Sequence, residues 1–234
     1  MTALGVIRLL LLCVLLPVCL LCWAIAVPLG RGSFWVQFFL GRVGYILGLR
    51  VRCENEPVRR RVLYIANHIS WLDILALGGA TPTRFIAKSE IARWKLVGWL
   101  ATIAGSVFVS RDRRTETRAQ ANQVSEALRG DRPVTLFGEG GTGDGIVLRP
   151  FRAPLFAAAI EAGALVQPVA IDYGPGRARF AWFGTSFSHE MMRLLNRDER
   201  IPVTLRFLEP LDASVLDRKQ LAAQSHAEIA AALS

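Results

Sequence analysis

The sequence predicts an α/β protein, a largely parallel or mixed sheet flanked by helices, preceded by an N-terminal membrane-embedded helical pair. Three observations carry that expectation. Positions 9–27 hold no charged residue, and a second apolar segment follows at 33–49. From residue 51 onward, short β-branched runs alternate with helix-like stretches, the pattern of strands joined by crossover helices. No internal repeat, low-complexity tract or long linker divides that region. Residues 1–49 therefore read as a membrane-anchoring helical segment, and residues 50–234 as one domain.

Leu9 to Val27 is 19 residues long and interrupted only by Pro17, close to the roughly 20 residues that cross a hydrocarbon core. Arg8 before the run and Ala24-Ile25-Ala26 near its end resemble a signal peptide. The run exceeds the roughly 7–15 residues of a signal h-region, so a retained anchor is expected. Arg31, Arg42, Arg50, Arg52 and Arg59 to Arg61 follow it, against Arg8 alone before it. That bias places the main domain on the cytoplasmic side of the inner membrane. In the second segment, Gly41, Gly44 and Gly48 line one helical face. Such a face allows close helix approach inside lipid; an ordinary buried helix is the alternative.

Strands are expected at Val62–Ala66, Arg84–Ala87, Ser106–Val109, Val134–Phe137, Leu165–Ile171, Phe180–Phe183 and Val203–Phe207,. Helices are expected at Trp71–Leu77, Thr115–Arg129, Pro154–Ala162, Ser188–Asn196 and Asp217–Leu233, the second and third closed by Gly130 and Gly163,.

Apolar residues make up 52% of the chain and its net charge is +9, so an anionic partner is expected. Nucleic acid and an anionic bilayer surface both suit that sign, but nucleic acid does not account for the apolar N-terminus. Cys19 and Cys22 form a CxxC with no second pair or histidine at zinc spacing, and no cysteine follows Cys53. That usage excludes a disulfide framework and suits a reducing compartment.

Four segments could carry chemistry. In Asn67-His68-Ile69-Ser70-Trp71-Leu72-Asp73 an apolar strand ends at His68 and a helix begins after Ser70. A carboxylate at Asp73 can accept from one imidazole nitrogen and leave the other as a base. Equally, Ser70-x-x-Asp73 reads as a capping box and His68 as a core histidine. In Phe137-Gly138-Glu139-Gly140-Gly141-Thr142-Gly143 the glycines match GxGxxG after a strand. Asp144-Gly145 and then extended chain up to Pro150 follow where a dinucleotide fold needs a helix, and no P-loop lysine is present,. What remains is Glu139 on a loop whose amides can hold an anion or polar head group. Gly105 to Arg111 is a strand delivering an arginine, and Val166 to Ile171 a core strand containing Pro168.

In this order the four segments resemble the blocks of the glycerolipid acyltransferases, the family of lysophosphatidic acid acyltransferases. The NHxSxxD block is Asn67 to Asp73, the GxxFxxR block Gly105 to Arg111, the FPEGT block Phe137 to Gly141, and the VxPVxI-like strand Val166 to Ile171. Lys88-Ser89-Glu90 matches a KxE element. The resemblance implies acyl transfer from acyl-CoA or acyl-carrier protein to a lysolipid hydroxyl, with no metal or bound cofactor. His68 matches the general base and Asp73 the residue orienting it. Lys88, Arg111, Glu139, Gly140, Gly141 and Thr142 match acceptor-binding positions.

Two departures stand out. Gly138 replaces the usual proline, which should loosen the loop, and no arginine follows Glu139-Gly140. Bacterial relatives that acylate lyso-ornithine lipid carry a continuation like Thr142-Gly143-Asp144-Gly145. The leading acceptor is 1-acyl-glycerol-3-phosphate, bound by Lys88 and Arg111 with Arg149 or Arg152 nearby, and lyso-ornithine lipid is the alternative. A catalytically silent membrane-bound adaptor is the reading from another class.

Overall fold

The computed structural model of the chain describes residues 1–109, 117–182 and 184–234. Its strands are β1 (Leu49–Glu54), β2 (Val62–Ala66), β3 (Arg84–Lys88), β4 (Val107–Val109), β5 (Val134–Phe137), β6 (Leu165–Asp172), β7 (Ile201–Phe207) and β8 (Leu211–Asp212). They form one sheet in the order β1-β7-β6-β2-β5-β3-β4, with β8 paired to β6. Strands β6, β2, β5, β3 and β4 run parallel, whereas β7 is antiparallel to β6 and parallel to β1. The sheet is therefore mixed.

The helices are α1 (Ala3–Ala26), α2 (Gly32–Ile46), α3 (Leu72–Ala80), α4 (Lys95–Ile103), α5 (Thr117–Arg129), α6 (Ala157–Ala162), α7 (Phe187–Leu195) and α8 (Arg218–Leu233). Strand β2 lies at the centre and is buried on both faces, which its unbroken apolar sequence requires,. Val62, Tyr64 and Ala66 pack with side chains of α2, α3 and α7. Leu63 and Ile65 point the other way, into the layer of α5, α6 and α8.

Besides the two-residue β8 and short 3-10 turns, three elements differ from expectation. Strand β1 was hidden because the second apolar segment runs into it. In the structure Gly48 adopts φ +102° and breaks the chain between α2 and the edge strand, a turn that glycine makes without steric cost. Helix α4 was missed because Gly98 lies within it and Trp94, Leu96 and Trp99 at its start are exposed. The expected strand at Phe180–Phe183 is absent: Arg177–Phe180 is a 3-10 turn, and Phe183 lies outside the described residues. Phe180 is buried and stacks on Tyr173, with ring centroids 5.4 Å apart. The apolar character of that run thus serves an aromatic cluster.

Helices α1 and α2 pack against each other as a hairpin. Only α1, among the described residues, is long and apolar enough to cross a membrane. Its Ile7, Leu10, Leu11, Val14, Val18, Leu21 and Ile25 are exposed. Arg8, itself buried, donates to the carbonyls of Leu194, Leu195 and Arg197 at the end of α7. The last carbonyls of a helix lack donors further along it, and the guanidinium supplies them here, so the N-terminal end of α1 is fixed to the domain. The glycine face of α2 is spent on α3. A Cβ on Gly79 would lie 2.6 Å from Gly41 Cα and 2.8 Å from Gly41 N.

Gly79→Ala should therefore force α2 off α3 and cost about 1–3 kcal/mol. The check is thermal unfolding of the detergent-solubilised protein, where an unchanged midpoint would contradict the backbone contact.

Candidate active site

Strands β2, β5, β3 and β6 are parallel, so their C-terminal ends share one edge, where α/β proteins hold ligands,. His68 follows β2, Glu139 follows β5, Lys88 ends β3 and Tyr173 follows β6. Asn67 fixes the exit of the chain from the sheet. Its side-chain amide donates to Ile171 O and accepts from Ile171 N, at 3.0 and 2.8 Å. That pair replaces one rung of the β2–β6 ladder and frees His68 from backbone pairing there.

The backbone of His68 is held at both ends by the glycine-rich loop. Its N–H donates to Glu139 Oε1 at 2.8 Å, and its carbonyl accepts from Gly143 N at 2.7 Å. The imidazole stacks on Phe137, centroids 3.9 Å apart and planes 12° apart. Nδ1 lies 2.8 Å from Asp73 Oδ2. Because an ionised carboxylate only accepts, Nδ1 carries the proton and Nε2 is left as the basic nitrogen. The His68 side chain is 14% exposed, while Asp73 is fully buried.

Asp73 satisfies more than the histidine. Its Oδ2 also accepts from Ile69 N and Ser70 N, and its Oδ1 from the Tyr173 hydroxyl at 2.5 Å. The capping box is met only in half, since Asp73 accepts from Ser70 N but the helix is capped one residue later, at Trp71, without a side-chain bond. The carboxylate closes the tight turn into α3 and fixes the imidazole in the same geometry.

Glu139 is also buried, and its second oxygen accepts from Arg149 N and Nε at 3.3 and 3.2 Å. Arg149 Nη2 donates to Gly141 O, so this arginine braces the loop. Gly140 has φ +77°, and a Cβ there would lie 2.7 Å from Arg152 Nε. Thr142 is half-buried on the same loop, and Lys88 is exposed. Arg111 lies outside the described residues, so the structure brings together His68, Asp73, Glu139, Gly140, Gly141 and Thr142 and places Lys88 on their edge of the sheet. Among the described residues no His, Cys, Asp or Glu side chains are grouped as metal ligands.

The expectation that Gly138 loosens the loop is not met. Gly138 N donates to Ala66 O and Gly138 O accepts from Arg152 N. Three ring atoms of Phe151 lie 2.6–2.8 Å from where its Cβ would be. The aromatic ring uses the space of a side chain, so the loop is locked by packing instead of by a proline ring. Sequence reading missed Tyr173, the platform of Phe137 and the brace of Arg149. Tyr173 alone had a visible signal, as the residue immediately after a strand that ends at this edge.

A buried carboxylate holding a half-buried histidine at the C-terminal edge of parallel strands is an arrangement suited to general-base chemistry in an α/β protein,. Comparison with known proteins places it further. A family model described as Acyltransferase matches residues 49–172. The chain is 38% identical over 200 residues to a lyso-ornithine lipid O-acyltransferase of Pseudomonas aeruginosa, covering 84% of this chain and 77% of that one. It is 44% identical over 127 residues to a 1-acyl-sn-glycerol-3-phosphate acyltransferase of Neisseria gonorrhoeae, covering 54% and 50%. The crystal structure of the 1-acyl-sn-glycerophosphate acyltransferase from Thermotoga maritima superposes with a TM-score of 0.63 at 22% identity, covering 87% of this chain and 80% of that one, and shares its fold. The chain belongs to the acyltransferase family.

Gly138→Ala should destabilise the protein by about 1–3 kcal/mol through overpacking, and a second change, Phe151→Ala, should relieve part of that loss. A double-mutant cycle of unfolding free energies measures the coupling; strictly additive effects would contradict the packing lock.

Proposed function

We propose that the protein transfers an acyl group from an acyl thioester, acyl-CoA or acyl-carrier protein, to the free hydroxyl of a lysolipid. The observation that carries the reading is the His68–Asp73 pair, with Nδ1 held at 2.8 Å by a carboxylate that solvent does not reach. Nε2 takes the hydroxyl proton as the oxygen attacks the thioester carbonyl. When the C–S bond breaks, the imidazolium returns that proton to the departing thiolate, and the Asp73 carboxylate stabilises the cation in between. Such a direct transfer uses no protein nucleophile.

Lyso-ornithine lipid is the acceptor best supported. The Pseudomonas relative, 38% identical and matched over most of both chains, is named for it. Arg149, one of two arginines beside the glycine-rich loop, is engaged by Glu139 and Gly141, which leaves less positive charge for a phosphomonoester than the sequence alone implied. The second reading, 1-acyl-glycerol-3-phosphate, is favoured by exposed Lys88 on the same edge of the sheet and by the Neisseria relative. Lys88, Arg111, Gly140, Gly141 and Thr142 are the proposed acceptor-binding residues, with Glu139 holding the loop in shape.

The exposed apolar face of α1 holds the protein to an anionic membrane surface, with the catalytic domain on the cytoplasmic side of the inner membrane. The contacts of Arg8 with α7 support a hairpin that enters and leaves from the domain's side rather than a single crossing by α1. Protease digestion of sealed vesicles should remove tags on both termini from the same side; tags cleaved from opposite sides would contradict the hairpin.

His68→Ala should lower transfer about 100- to 10,000-fold while membrane association persists. Asp73→Asn should be comparably severe, because an amide can favour the wrong tautomer. Both are measured by acyl transfer on membranes offered lyso-ornithine lipid and 1-acyl-glycerol-3-phosphate side by side. Retained activity in His68→Ala would refute the base assignment. A clear preference for the phosphate acceptor would overturn the acceptor assignment and leave the mechanism standing.

A further inference from the structure

Asp73 presents two oxygens, and three of its four donors fall on one of them. Oδ2 accepts from His68 Nδ1, Ile69 N and Ser70 N at 2.8, 2.8 and 2.9 Å. Oδ1 has one partner among the described residues, the hydroxyl of Tyr173 at 2.5 Å. Asp73 is wholly buried and Tyr173 is 2% exposed. The two residues sit on different elements, at the start of α3 and just past β6.

A buried carboxylate oxygen without a donor is costly. A carboxylate held through one oxygen also turns readily about its last side-chain bond, whose preference is broad and roughly two-fold. The Tyr173 hydroxyl removes both problems. It supplies the donor that Oδ1 lacks and fixes the plane in which Oδ2 meets Nδ1.

Resting on the base reading of His68, we infer that Tyr173 is a positioning residue for the acyl-transfer reaction, acting through Asp73 to aim the imidazole. Burial, and then the neighbouring Asp73 carboxylate, raise the Tyr173 phenol well above its ordinary pKa. It therefore keeps the proton that it donates. The ring is already packed on Phe180, so phenylalanine at this position removes the hydroxyl and little else.

Tyr64 supplies the matched control. It too is fully buried, and its hydroxyl donates to Val58 O, without contact with the pair. The test compares Tyr173→Phe, Tyr64→Phe and His68→Ala in the full-length membrane protein, with kcat and KM measured for donor and acceptor and thermal midpoints recorded. Tyr173→Phe should lose about 10- to 100-fold in kcat, the worth of a hydrogen bond to a charged group, with KM for either substrate changed less than about twofold. Tyr64→Phe should keep wild-type kcat.

Wild-type kcat in Tyr173→Phe, a loss confined to KM, or an equal kcat loss in Tyr64→Phe would overturn the inference. So would a Tyr173→Phe chain that does not fold, since the hydroxyl would then serve stability alone. An inactive His68→Ala beside a fully active Tyr173→Phe defeats this inference only, whereas an active His68→Ala defeats the base reading beneath it.

Discussion

The Asp73 carboxylate is the interaction on which the site depends. Its side chain is fully buried, and among the described residues no arginine or lysine is paired with it. Burying a lone charge costs several kcal/mol unless hydrogen bonds replace its hydration. Here two backbone amides, an imidazole and a phenol do so. Each donor comes from a piece of chain whose position the sheet fixes: the turn after β2, His68 itself, and the residue past β6. The setting of the His68 imidazole and the geometry of the strand-to-helix turn are thus one set of contacts, and neither can relax alone.

A second buried carboxylate does for the loop what Asp73 does for the helix. Glu139 ties the backbone of His68 to the glycine-rich loop through one oxygen and receives Arg149 through the other. A bridged carboxylate of this kind confers geometry more surely than net stability. Phe137, between the two strands' ends, gives the imidazole a flat support. The histidine is therefore constrained from below by a ring, from the side by Asp73 and along its backbone by Glu139 and Gly143, and Nε2 is the ring nitrogen that Asp73 does not engage.

The central parallel strands were legible because both of their faces are buried, and a run such as Val62–Ala66 has no other use. The sequence left parallel and mixed sheets both open, since nothing local in Ile201–Phe207 states which direction it runs; that follows from the connection and from pairing with β1. His68 and Asp73 stood out through the resemblance of the four ordered blocks, since their own segment reads equally as a helix cap beside a core histidine,. Their partners did not. Tyr173 lies 100 residues from Asp73, and the sequence around it reads as the end of a core strand. Arg149 looked like spare positive charge until its bonds to Glu139 and Gly141 were seen. Gly138 read as a loosened position because the ring that fills it lies thirteen residues onward in a stretch with no pattern of its own.

The attachment of Arg8 to the end of α7 has a consequence for how the molecule is made. Its acceptor carbonyls lie 186, 187 and 189 residues further along the chain. At roughly 5–20 residues per second of synthesis, tens of seconds separate the emergence of the first helix from that of its docking site. Strand β1 waits somewhat less, because its partner β7 is residues Ile201–Phe207. The apolar helix is therefore exposed to the bilayer well before it has a protein surface to meet, and closure of the sheet edge and seating of the hairpin become joint, late events in assembly.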